Sequence, residues 1–168
     1  QIPNAQYQIF SGTGNISISN VNFQFIPGEF TICMNSNWRG SYTADQCKNA
    51  ELQLLNTGDV TFTNCTFDAV IASPFSSTTT STFIDCTFEN VYNAYAIKDV
   101  HSPNLIVEGC TFNHCGGGIY LEGSASKNII SIINNNFSDI DTYAAADKVG
   151  TRGLIQFSAS GDYSNAQV

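Results

Sequence analysis

Positive charge is scarce in this chain. Four Lys and two Arg stand against fourteen Asp and Glu, for a formal charge of −8. Without a basic stripe, neither a nucleic acid backbone nor an anionic bilayer is an expected partner. Charge of either sign is thin, at 12 % of residues, while Asn, Ser and Thr are abundant. That balance suits an extracellular surface that bears or touches glycans. No segment approaches 18 consecutive apolar residues, so no membrane span is expected. No window carries a sustained 3.6-residue apolar stripe, and Ala clusters only in Tyr143–Ala146, which argues against helices. There is no Cys-x-x-Cys, and His101 and His114 stand apart from the cysteine pairs, so neither a zinc site nor any other metal or cofactor is expected. The chain opens at Gln1 rather than Met, and is read as a processed or excised product whose signal peptide has been removed.

What the chain has is a phrase written five times. It reads Ser19-Asn-Val-Asn-Phe23, Thr63-Asn-Cys-Thr-Phe67, Ile84-Asp-Cys-Thr-Phe88, Glu108-Gly-Cys-Thr-Phe112 and Ile133-Asn-Asn-Asn-Phe137. The phenylalanines are 44, 21, 24 and 25 residues apart, so with two units hidden in the first gap five turns cover 114 residues, about 22.8 each. A repeat of that length with β-type patterning predicts a solenoid. Before each phrase the pattern alternates with period two, as in Val60-Thr-Phe62-Thr, between Gly, Asn, Asp and Pro breaks. Inside the phrase the alternation slips by one, because Phe62, Cys65 and Phe67 all belong inside. The slip needs a residue tolerant of left-handed backbone angles. Asn20, Asn64, Asp85, Gly109 and Asn134 fill that column, and all are types that accept positive φ. Stacked turns then superpose Phe23, Phe67, Phe88, Phe112 and Phe137 in one core ladder, and Cys65, Cys86 and Cys110 in another.

At this point the chain resembles the right-handed parallel β-helix family, the pectin-lyase-like solenoids. The stretch Cys110-Thr-Phe-Asn-His-Cys115-Gly-Gly-Gly118-Ile-Tyr is similar to the repeats of its surface-adhesin branch, which is not catalytic. The expectation is an all-β, single-stranded right-handed parallel β-helix of about seven turns, one domain over 1–168. Its length would be about 35 Å at the usual strand spacing. Irregular loops are expected near 31–50 and 141–153.

Six cysteines leave two readings open. Cys65, Cys86, Cys110 and Cys115 are either small buried hydrophobes or bridged neighbours in adjacent turns. Cys33 and Cys47, outside the column, are the disulfide candidates. Asn15, Asn64 and Asn136 head Asn-x-Ser/Thr sequons, with Asn136 on an outward column and Asn64 at a corner. Trp38 and Arg39 make a possible ligand loop, since aromatic faces bind sugar rings and Arg reads carboxylates.

No catalytic residue is assigned. Asp139 and Asp141, two apart, would project to one face of a strand as a glycosidase pair could, but no Arg–Lys–Asp cluster emerges for a lyase. The reading is a non-enzymatic extracellular structural or adhesive module, secreted and glycosylated. A polysaccharide lyase, a glycoside hydrolase or a glycan-binding module are the alternatives. No capping helix is visible at either end, so copies of itself or neighbouring β-helix segments are the expected partners, stacked into a filament.

Overall fold

The computed structural model describes residues 6–10, 14–20, 30–34, 42–46, 48–55, 58–73, 80–100, 104–122, 129–141, 152–158 and 163–168. Every regular element among them is a strand. In chain order these are β1 (Gln6–Phe10), β2 (Ile16–Ser19), β3 (Phe30–Met34), β4 (Tyr42–Asp45) and β5 (Lys48–Leu55). Next come β6 (Val60–Thr63), β7 (Thr66–Ser73), β8 (Thr80–Ile84), β9 (Thr87–Val100) and β10 (Asn104–Glu108). The last are β11 (Thr111–Glu122), β12 (Ile129–Ile133), β13 (Asn136–Ile140), β14 (Ile155–Phe157) and β15 (Ala166–Gln167).

The chain alternates between two parallel sheets, so each coil gives one strand to each. The first sheet runs β1-β3-β5-β7-β9-β11-β13, with β14 also paired to β11. The second runs β15-β12-β10-β8-β6-β4-β2. Between them lies a core built on stacked phenylalanines. Phe67, Phe88, Phe112 and Phe137 stack with centroids 5.1, 4.8 and 4.5 Å apart and near-parallel planes. A second column, Phe62 on Phe83 at 5.3 Å, meets the first edge-on. These spacings follow the strand spacing, because like residues superpose in register. Phe23 of the expected ladder lies outside the described residues.

All five expected corner residues are left-handed: Asn20 (φ 56°), Asn64 (52°), Asp85 (51°), Gly109 (65°) and Asn134 (56°). Of these, Asn20, Asn64, Asp85 and Gly109 donate their N–H to a carbonyl of the following coil, the first to Asp45 and the last to Ile133, at 2.9–3.3 Å. The series includes a sixth member. Gln46, at φ 52°, donates to Thr63, and Lys48 pairs with Thr66. The coil hidden in the long gap is therefore β4–Gln46–β5. Within the stretch 31–50, expected to be irregular, the described residues form β3, β4 and the start of β5. The phrase had been disguised by Gln at the corner and Asn49 opposite Phe67.

A second left-handed column went unread in the sequence. Asn90 (59°), His114 (54°) and Asp139 (52°) each sit two residues after a ladder phenylalanine. This bend turns Val91, Cys115 and Ile140 inward in register with one another. Of the expected loop 141–153, Asp141, Arg152 and Gly153 are described, and none of them is in a strand.

Candidate functional site

The cysteines turn out to be core. Cys65, Cys86, Cys110 and Cys115 are buried and free. Their thiols bond to carbonyls, as Cys110 does to Glu108 and Phe83. Of the two readings, the unbridged one describes these four cysteines, and geometry gives the reason. In-register parallel strands hold successive Cβ atoms about 4.8 Å apart, whereas a disulfide needs roughly 3.5–4.5 Å. The neighbouring Cys110 and Cys65 thiols, with burial behind them, drive the Cys86 thiol far above its ordinary value. In the last coil Asn135 replaces the thiol, its Oδ1 accepting from the Cys110 N–H and its Nδ2 donating to the Val107 carbonyl. Cys47 and the side chain of Cys33 lie outside the described residues.

Burial raises the Cys115 thiol to about 11. The folded chain thus keeps this proton where an unfolded thiol has lost it. Stability is full below about pH 9 and is expected to fall as pH rises toward 11. Urea midpoints measured across that window should slope downward, and Cys115→Val should flatten the slope. In denaturant without reductant, all four thiols are expected to alkylate fully. A peptide pair joined through two of them would contradict the ladder.

Several of the described acids are tied to neighbouring segments. Asp45 accepts from Asn64 Nδ2 at 3.3 Å, and Asp59 from the Thr80 N–H at 2.9 Å. Lys98 Nζ lies 3.0 Å from Glu122 Oε2. These two are diagonal neighbours, since Lys98 pairs with Tyr120. His114 Nδ1 lies 2.6 Å from Asp139 Oδ2. Asp141 accepts the Arg152 N–H at 3.2 Å, closing the ends of the insertion. Asp139 and Asp141 are not presented as a strand pair. Both are left-handed, so the period-two rule does not hold there, and each serves a different partner.

One outer patch gathers aromatic and charged groups. Gly117 faces Tyr95 in register, and a Cβ on Gly117 would lie 2.6 Å from the Tyr95 ring. The missing side chain lets Tyr95 lie across β11. There its hydroxyl donates to Gln156 Oε1, two coils on from its own strand. Tyr120 stacks on Tyr95 at 5.0 Å and 21°, and the Arg152 guanidinium sits 5.8 Å from the Tyr95 centroid. Burial raises the Tyr95 phenol, and Arg152 opposes the shift. The patch offers aromatic surface, a cation, an amide and the Lys98–Glu122 pair. The Gly-Gly-Gly run was read as a family mark, and its role in seating Tyr95 had no sequence signal.

The expected sites fall as follows. Asn136 opens β13, is exposed, and pairs with Thr111 on the outward column of Thr66 and Thr87. Asn15 is exposed just before β2, and Asn64 is exposed at its corner with its side chain on Asp45. Trp38 and Arg39 lie outside the described residues. Among the described residues no group of three His, Cys, Asp or Glu could hold a metal ion, and no helix is long and apolar enough to cross a membrane.

The family described as "right handed beta helix region" matches residues 4–153. The chain belongs to the right-handed β-helix family. No curated protein and no solved structure matched it. The coiled parallel strands of the structure agree with that match.

Proposed function

We propose that this β-helix is a non-enzymatic extracellular structural or adhesive module. The observation that carries the reading is where its outward polar groups are used. Asp45, Asp59, Glu122 and Asp139 each bind a group on an adjacent coil, as rung-to-rung ties. Catalysis by a lyase or hydrolase would instead aim acids and a cation at one shared point on a substrate. The low-charge amide- and hydroxyl-rich composition and the exposed sequons at Asn15 and Asn136 support an extracellular, glycosylated setting.

A second reading, glycan binding without cleavage, draws on the Tyr95–Tyr120 stack with Arg152 and Gln156. One experiment separates them. The chain is incubated with a panel of acidic and neutral polysaccharides, and both bound sugar and new chain ends are measured. The expected result is no cleavage, with intact mass falling on enzymatic deglycosylation of material from a eukaryotic secretory host. Turnover abolished by Asp139→Asn would sink the non-enzymatic reading. Retention of a polysaccharide that Tyr120→Ala releases would favour the second.

A further inference from the structure

We propose that the stacked thiols of Cys65, Cys86 and Cys110 form a two-coordinate site for a soft, thiophilic metal ion, held on a line between the sulfurs of successive coils. This goes beyond the structural reading above and does not rest on it. The spacing that keeps a disulfide from forming is the spacing that such an ion needs.

The column is regular in its backbone. Thr63, Ile84 and Glu108 pair in register before it, and Thr66, Thr87 and Thr111 after it. The Cys65 and Cys86 carbonyls accept from the Thr87 and Thr111 N–H of the next coil, at 2.8 and 2.9 Å. The side chains repeat as well. Each thiol bonds to the carbonyl two residues earlier, at 3.3 Å for Cys65 and Cys86 and 3.4 Å for Cys110. The sulfurs of Cys86 and Cys110 also lie 3.5 Å from the Phe62 and Phe83 carbonyls of the coil before. Equivalent backbone and equivalent orientation set the sulfurs one coil spacing apart, about 4.8 Å. The Cys86 thiol accordingly meets those of both Cys110 and Cys65.

A metal–thiolate bond is about 2.3 Å long, so two laid end to end span about 4.6 Å. An ion therefore fits between neighbouring sulfurs without moving either coil. Cys65 and Cys110 are two spacings apart, about 9.6 Å, and no single ion bridges them. Cys86 is thus a ligand whichever gap is filled.

Chemistry and charge choose the ion. A hard cation needs a cage of oxygens, and zinc a tetrahedron of ligands. This column offers two sulfurs on a line, a set that soft ions accept. Binding breaks two S–H bonds, forms two sulfur–metal bonds and releases two protons. A monovalent ion would leave one net negative charge in an apolar core, where an unpartnered charge is costly, and the flanking Asp85 and Glu108 are acids. A divalent ion leaves a neutral adduct. The mercuric ion meets both conditions.

The test uses mercuric chloride. Substitutions are made in a chain carrying Cys33→Ser and Cys47→Ser, which keeps the four described thiols, and circular dichroism checks that each variant folds. The ligands are only 1 % exposed, so incubation runs for hours in mild urea to let the coils open locally. A modest excess of mercaptoethanol removes mercury held by one protein thiol but not by two. The expected result is one ion retained per chain after gel filtration, with two sulfurs at about 2.3 Å by X-ray absorption. Cys65→Ala and Cys110→Ala should each retain it, since either leaves a stacked pair. Cys86→Ala should lose retention by roughly tenfold or more. Cys115→Ala, whose column neighbours are Val91 and Ile140, should leave it unchanged. In the native sequence, alkylation in denaturant should find Cys86 blocked together with Cys65 or Cys110. No retained mercury, full retention by Cys86→Ala, loss of the native circular dichroism on binding, or a Cys86 that still alkylates overturns the proposal.

Discussion

Phe88→Ala is expected to cost about 3–5 kcal/mol. Phe88 is fully buried in the middle of the ring column, 5.1 Å from Phe67 below and 4.8 Å from Phe112 above. It also meets Phe83 edge-on at 5.9 Å. Truncation removes the transfer free energy of the ring and leaves a cavity. The neighbours cannot collapse into it, because each ring is held at its own level by a backbone ladder that fixes the coil spacing. Against a total of about 5–15 kcal/mol for a typical domain, this single change is large. In a stack where each coil touches only its neighbours, a central defect also uncouples the two halves. Urea unfolding followed by circular dichroism should show an earlier and broader transition than the native chain. A midpoint within error of the native one would mean that the ring column is not what holds the coils together.

Gly118→Ala is expected to detach β14. A Cβ at Gly118 would sit 2.1 Å from the Leu154 carbonyl oxygen and 3.0 Å from the Phe137 ring. The obstacle is backbone, so no rotamer change relieves it. That carbonyl also accepts the Ile119 N–H at 2.8 Å, while Gly118 itself donates to Gly153 at 3.2 Å. Making room for the methyl group breaks one or both bonds, at about 1–3 kcal/mol for an overpacked site. Hydrogen exchange should show the Ile119 amide losing protection while amides of β6 and β8 keep theirs. Gly117→Ala makes the instructive contrast. Its new methyl would meet the Tyr95 ring and the Arg152 Cβ, side-chain atoms rather than backbone, so the patch loosens and β14 stays. Equal protection at Ile119 in the Gly118 variant and the native chain would refute the close approach.

Most of the fold was legible because a solenoid repeats its constraints. The corner column required residues that tolerate positive φ, and the five named from the sequence are all left-handed. The phenylalanine column followed from the same alternation, and the registers of β9, β11 and β13 agree. Gln46 escaped notice because Gln is not a usual left-handed residue and its coil lacks the phenylalanine. The second left-handed column escaped because Asn90, His114 and Asp139 share a backbone angle but no side-chain chemistry.

The sequence alone determined the strands, the coil length, one corner and the composition of the core. Those depend on contacts between equivalent positions of neighbouring repeats, and equivalent positions can be aligned on paper. The tertiary structure decided how non-equivalent positions meet. It paired Lys98 diagonally with Glu122, engaged Asp139 with His114 rather than with Asp141, and laid Tyr95 across Gly117 to reach Gln156. It also decided that the stacked cysteines stay free, because an in-register parallel column holds their Cβ atoms one strand spacing apart. Contacts of that kind depend on twist, side-chain reach and the bend of each corner, and none of these is written in the period of a repeat.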